Sequence, residues 1–130
     1  MSKLYHLSEM CTRINHGIEK HHALVIYEDH PICTQVLQIL EREEWIQGYS
    51  KEIQPSPVLK IILRYRKKGS LISRIRAYAR PEHILNLSVE ELQKLRTPLQ
   101  TLILSTSKGV MSGKEALSLG IGGLLILEVQ

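Results

Sequence analysis

Residues 100–129 read QTLILSTSKGVMSGKEALSLGIGGLLILEV, and the order of features in this stretch decides the fold class. Gln100 to Leu104 forms an apolar run of strand length that passes into Ser105, Thr106 and Ser107. Ser112 and Glu115 stand at capping-box spacing, so a helix starts after Ser112, and Gly120 supplies its stop. Leu124 to Val129 then makes a closing strand. Strand, hydroxyl-rich turn, short capped helix, glycine stop and strand together predict a mixed β module.

Upstream, Ser88-Val89-Glu90-Glu91 has the same capping-box spacing and predicts a short helix that stops before Pro98. Pro81 ends the preceding strand, and the chain is read as two modules, 1–78 and 79–130. In the first module Leu4, Leu7, Met10, Cys11, Ile14 and Ile18 recur at helical spacing, with Ser2 as N-cap and Gly17 as a stop signal. Ala23 to Tyr27 reads as a strand. Pro31 opens a second helix whose inner face is Ile32, Val36, Leu37, Ile39 and Leu40, with Trp45 closing it. After Pro55-Ser56-Pro57, residues Val58 to Arg66 alternate, with Leu59, Ile61, Leu63 and Tyr65 on one side and Lys60, Ile62, Arg64 and Arg66 on the other. Lys67-Lys68-Gly69-Ser70 supplies a turn, and Leu71 to Arg80 alternates again, placing Arg74, Arg76, Tyr78 and Arg80 together. The expectation is an α/β chain of the α+β type: an N-terminal α-β-α-β-β module with a basic hairpin, then the mixed β module.

The chain carries 17 Lys and Arg against 13 Asp and Glu, a formal net charge of +4 that permits a nucleic-acid partner without requiring one. The distribution is more telling, because every charged residue from Lys60 to Arg80 is basic and the remainder is net acidic. Two cysteines, Cys11 and Cys33, both in apolar-periodic stretches, fit a reducing compartment. No apolar run approaches the roughly 20 residues that span a bilayer, and the first residues resemble neither a secretory nor an Arg-rich leader.

Ser105-Thr106-Ser107-Lys108-Gly109 offers three hydroxyls and an ammonium with no carboxylate beside them. Hydroxyls donate and accept, so such a loop suits phosphate oxygens, ribose 2′-hydroxyls and base edges, while the lysine attracts phosphate. The plainer alternative is a Ser/Thr turn satisfying its own backbone. Gly109 to Glu115 is no phosphate loop, since its glycine spacing is one residue short and Glu115 stands where a hydroxyl should hold magnesium. Gly120-Ile121-Gly122-Gly123 follows a helix and precedes a strand, the reverse of a dinucleotide fingerprint, and reads as a helix stop and tight turn. A metal site from His16, His21 and His22 lacks a helical i, i+4 pair with partner ligands, so neither metal nor cofactor is expected.

Leu104 to Met111, then Ala116, then Gly120-Ile121-Gly122-Gly123 before an apolar strand, resemble the end of the eighth protein of the small ribosomal subunit. Met10-Cys11-Thr12-Arg13-Ile14 through Gly17, Val36-Leu37 to Trp45-Ile46, and Arg80-Pro81 extend the resemblance over essentially the whole chain. The resemblance implies a structural, non-enzymatic protein of two small α/β modules, the second binding the central domain of small-subunit rRNA early in assembly. Small-subunit proteins five and twelve are the implied neighbours. Ser105, Thr106 and Ser107 would face the RNA, with Lys108 and Gly109 completing the loop and Arg13, Arg74, Arg76 and Arg80 as basic contacts. The chain departs from the pattern at Glu82, Ile84 and Asn86, where a glycine, an arginine and a tyrosine are usual. It departs again at Leu124 in place of a glutamate, at His30-Pro31 in place of a lysine-bearing helix start, and at Glu44 in place of a glycine. Such drift with a modest net charge points to a mitochondrial ribosome ahead of a plastid or bacterial one. Two rival functions stay open on sequence: a messenger-RNA-binding regulator, and a small hydrolase using Cys11 or Cys33.

Overall fold

The computed structural model describes residues 3–53, 55–67, 69–78, 85–95 and 99–130. The first helix, α1 (Lys3–Glu19), buries Leu7, Met10, Cys11 and Ile14, the stripe its spacing predicts. Its expected cap, Ser2, lies outside the described residues. Gly17 is not the stop. A Cβ there would stand 2.6 Å from Val25 Cγ2, so the bare glycine lets the helix lie close against the next strand. The chain turns instead at His21, with φ of 57°, where the His22 N–H donates to the Gly17 carbonyl at 2.8 Å.

Strand β1 (Leu24–Glu28), helix α2 (Pro31–Arg42), and strands β2 (Gly48–Glu52) and β3 (Val58–Ile62) follow. The three strands form an antiparallel sheet in the order β1-β3-β2, with Val25 opposite Ile61 and Tyr27 opposite Leu59 on the buried side. α2 places Ile32, Cys33, Val36, Leu37, Ile39 and Leu40 in the core. Trp45 lies beyond the helix rather than closing it, and its Nε1–H donates to the Thr101 hydroxyl at 2.8 Å.

The long basic hairpin expected over residues 58–80 is divided. Alternation identifies strands but not their partners. β3 joins the first sheet, while β4 (Tyr65–Arg66) and β5 (Gly69–Ser70) pair, among the described residues, with each other alone. The returning strand is reduced to β6 (Ile75–Ala77), which pairs with β10 (Gly123–Val129). Ile75 is buried in the larger core, and Asn15 of α1 serves its outward backbone: Asn15 Nδ2–H donates to the Ile75 carbonyl at 2.7 Å, and the Ile75 N–H donates to Asn15 Oδ1 at 3.1 Å. These bonds satisfy a strand edge that would otherwise carry unpaired groups.

The remaining elements are β7 (Asn86–Leu87), α3 (Val89–Leu95), β8 (Thr101–Thr106), β9 (Gly109–Ser112) and α4 (Gly113–Leu119). Their sheet runs β6-β10-β8-β9, with β7 also paired to β10. One face contributes Ile75, Ile103, Leu127 and Val129 to the larger core beneath α1 and α2. The other face carries Leu102, Leu104, Met111 and Leu125 against Leu87, Leu92 and Ala116, the smaller core under α3 and α4. Helices on antiparallel sheets match the mixed α+β class read from the sequence.

Candidate nucleic-acid interface

The hydroxyl stretch forms a tight β-hairpin. Ser105 pairs with Val110 and Thr106 with Gly109, leaving Ser107 and Lys108 as the two-residue tip. Neither tip residue has a positive φ; the reversal is completed by Gly109 at φ 110°, the conformation only glycine takes easily. The Thr106 hydroxyl donates to the Gly109 carbonyl at 2.8 Å and accepts from the Lys108 N–H at 3.1 Å. At Thr106, therefore, the plainer reading of a self-satisfying turn describes what the side chain does. Ser107, Lys108 and Gly109 are exposed, and Ser105 is half-buried.

Two devices hold this hairpin in place. Behind β9, the Ser112 hydroxyl accepts from the Glu115 N–H at 3.2 Å, and Gly120 at φ 70° ends α4 in the left-handed region. Ser112→Ala should cost about 0.5–2 kcal/mol through the lost cap; a melting temperature equal to the parent's would remove that role. The second device is Gly122-Gly123. A Cβ on Gly122 would overlap the Leu87 carbonyl oxygen, and one on Gly123 would stand 2.7 Å from the Ser105 carbonyl oxygen. The pair, read from sequence as a turn, is instead the place where β7 and β8 close on the start of β10. Spacing alone carries no signal for such a close approach.

In the same rung of the ladder, Asn86 of β7 pairs with Leu124 of β10, and Leu124 with Ser105 of β8. Asn86 and Leu124 are two of the positions where the sequence departs from the resembled pattern; Leu124 lies directly beside Ser105, and Asn86 one strand further out on the same side. Glu82 and Ile84, with Arg80 of the expected RNA-binding set, lie outside the described residues. Glu44, read from the resemblance as standing in place of a glycine, has φ of 65° and so occupies a backbone conformation that favours glycine.

Among the described residues, the expected basic contacts Arg13, Arg74 and Arg76 do not gather at the hairpin tip. Arg76 pairs with Glu128 of β10, which pairs with Leu102 of β8, five residues from Ser107 and thus roughly 17 Å away along the strand. Arg74 and Arg76 are exposed, and the Arg76 guanidinium lies 5.0 Å from the Tyr78 ring centre. Burial first, then the Glu128 carboxylate, raises the Tyr78 phenol above its ordinary value. Arg13 occupies a third place: it donates to the Ile26 carbonyl at 2.9 Å and sits 5.1 Å from the Tyr27 ring centre. Elsewhere in the basic run, Lys60 is paired with Glu52 at 2.7 Å and Arg64 donates to the Glu44 carbonyl at 3.1 Å. Those two cations are already engaged within the protein.

Cys11 and Cys33 are buried and free. Burial raises both thiols, Cys11 far above the ordinary range and Cys33 to about 12, so neither presents a thiolate.

The family model described as ribosomal protein S8 matches residues 6–130. A small ribosomal subunit protein uS8 from Thermus aquaticus is 35% identical over 132 residues, covering 95% of this chain and 96% of the relative. The protein of the same name from Acidiphilium cryptum is 34% identical over 125 residues, with 95% and 96% covered. One from Pseudomonas fluorescens strain Pf0-1 is 33% identical over 123 residues, with 95% of each chain covered. With the capped helix, the glycine pair and the hydroxyl hairpin in the order described, the chain belongs to the ribosomal protein S8 family.

Proposed function

We propose that this chain is a structural constituent of the small ribosomal subunit that binds the central domain of small-subunit rRNA, supports subunit assembly, and has no enzymatic activity. The observation that carries the reading is the β8–β9 tip, where Ser107 and Lys108 stand exposed on a backbone fixed by Thr106, Gly109 and the glycine pair. A rigid hairpin presenting a hydroxyl and an ammonium suits the ribose- and base-edge chemistry by which RNA is distinguished from a bare line of phosphates. Buried, protonated thiols leave no nucleophile for the hydrolase alternative.

The RNA-binding module in this reading is 79–130, joined by β6 from the other side of the 78/79 division. Ser105, Thr106, Ser107, Lys108 and Gly109 form its recognition surface, Thr106 acting through the turn. Arg74, Arg76 and Arg80 add phosphate contacts, and Arg13 adds one from the other module. Ribosomal proteins five and twelve of the small subunit are the proposed neighbours. The proposed compartment is the mitochondrion, supported by the departures at Asn86 and Leu124 and by the modest charge; the relatives named above are bacterial. Crosslinking in cells followed by sequencing tests the whole reading. The expected result is small-subunit rRNA crosslinked at residues 105–109, with the protein co-sedimenting with the small subunit. A predominantly free pool crosslinked to messenger RNA would overturn it.

The arginine contacts have their own test. Neutralising Arg74 and Arg76 together should flatten the plot of log affinity against log salt by about one to two units, while preference for the cognate helix persists. An unchanged salt slope would take β6 out of the interface.

A further inference from the structure

We propose that His6, Glu28 and His30 form a binding site for a divalent transition-metal ion of the zinc class, separate from the RNA-binding hairpin. One ring nitrogen from each histidine and a Glu28 carboxylate oxygen lie within 4.8 Å of one another. They come from three elements: His6 from α1, Glu28 from the end of β1, and His30 from the position just before α2. Zinc takes imidazole nitrogen and carboxylate oxygen at about 2.0–2.2 Å, so a tetrahedral set needs donors roughly 3.3 Å apart, and binding requires the stacked His6 and His30 rings to turn so that their in-plane lone pairs converge on one point. Two imidazoles, one carboxylate and an open fourth position form a complete donor set for such an ion.

The placement of His30 is what singles this cluster out. It occupies the N-cap of α2, where Ser, Thr, Asp or Asn would bond to the first turn, yet its side chain makes no capping bond. The imidazole is turned toward the other two donors. It stacks on His6 with ring centres 3.5 Å apart, and its Nε2 is 3.2 Å from Glu28 Oε2. Glu28 has no lysine or arginine partner in the ion pairs of the described residues. Behind the pair, His6 Nδ1 is 3.2 Å from the Tyr27 hydroxyl, the kind of outer contact that fixes a ligating ring. Unlike His16, His21 and His22, which lie close in sequence, these three residues meet only when α1, β1 and α2 pack.

A bound ion would tie the start of α1 to the corner between β1 and α2, and would leave the β8–β9 tip untouched. The full-length chain, stripped with a chelator and titrated with zinc chloride in a calorimeter, should bind one ion per chain. Its melting temperature should rise by about 3–5 °C at saturation. Cobalt(II) should give the visible absorption bands of a four- or five-coordinate nitrogen and oxygen site. Glu28→Gln, at an exposed side chain, should weaken zinc about tenfold or more. His30→Ser removes a ligand while installing a favoured N-cap, so this variant should melt no lower than the metal-free parent yet lose the one-to-one zinc binding. Absence of stoichiometric binding by the parent would overturn the site, as would unaltered zinc affinity in either variant. Preference for the cognate rRNA helix over an unrelated duplex, which rests on the β8–β9 tip, should be the same with and without zinc, which separates failure of this site from failure of the RNA-binding reading.

Discussion

A Gly122→Ala protein should melt well below the parent, by about 10 °C, for a loss of about 3 kcal/mol. The added methyl has nowhere to go: it would overlap the Leu87 carbonyl oxygen and lie 3.2 Å from both the Leu87 carbonyl carbon and Ser88 Cα. All of these are backbone atoms, so no side chain can swing aside, and relief requires β7 and the start of α3 to move off β10. That start is itself braced, since the Ser88 hydroxyl accepts from the Glu91 N–H and the Glu91 carboxylate accepts from the Ser88 N–H, each at 3.2 Å. Gly120→Ala provides the contrast. Its position has open space and only a φ of 70° to lose, so about 1 kcal/mol is expected. Differential scanning calorimetry of the two variants beside the parent decides the matter: if both melt alike, steric closure at Gly122 is not what holds this corner together.

Ser107→Ala should weaken binding to the cognate rRNA helix by about 1–3 kcal/mol, roughly 5- to 150-fold, while leaving the fold intact. The side chain is exposed at the hairpin tip. The loss would therefore be that of an intermolecular bond, with the RNA group opposite left buried and unpaired. Lys108→Ala should act differently. An ammonium on a flexible stem attracts phosphate without reading a base, so cognate and unrelated helices should weaken alike. Both variants are compared at one salt concentration on the cognate helix and on an unrelated duplex of equal length. Parent-like affinity of Ser107→Ala for the cognate helix would sink the assignment of this tip to recognition.

What could be read in advance was what is local. The capping box at Ser88, the N-cap at Ser112 and the glycine stop at Gly120 are each decided within one or two helical turns; Ser88 forms both bonds of its box, while Ser112 forms the N-cap bond alone. The stripes of α1 and α2 follow from period alone. Local pattern misleads where a partner distant in sequence decides the outcome. Leu71 to Arg80 alternates like one long strand, but Ile75 is drawn into a core shared with Ile103 and Leu127, and β6 pairs with β10 instead of β3. β2, the stretch GYSKE, gave no warning, because its outer residues face solvent and only its pairing with β3 makes it a strand. Gly17 and Gly122 look like punctuation in the sequence; their role lies in what approaches them. The hydroxyl hairpin was legible as chemistry, while the division of labour between Thr106, which shapes the turn, and Ser107, which is free to bind, required the geometry.

β10 is the strand on which the second sheet depends, since it bonds to β6, β7 and β8, and all three precede it in the chain. Without β10 the strands β6, β7 and β8 have no common partner, and of the second sheet only the β8–β9 hairpin can close on itself. The glycine pair that braces the hairpin leads directly into β10, so the brace and the strand stand or fall together. β10 is thus the joint of the second sheet, and displacing it would release β6, β7 and the brace beneath the β8–β9 hairpin together, as one cooperative unit.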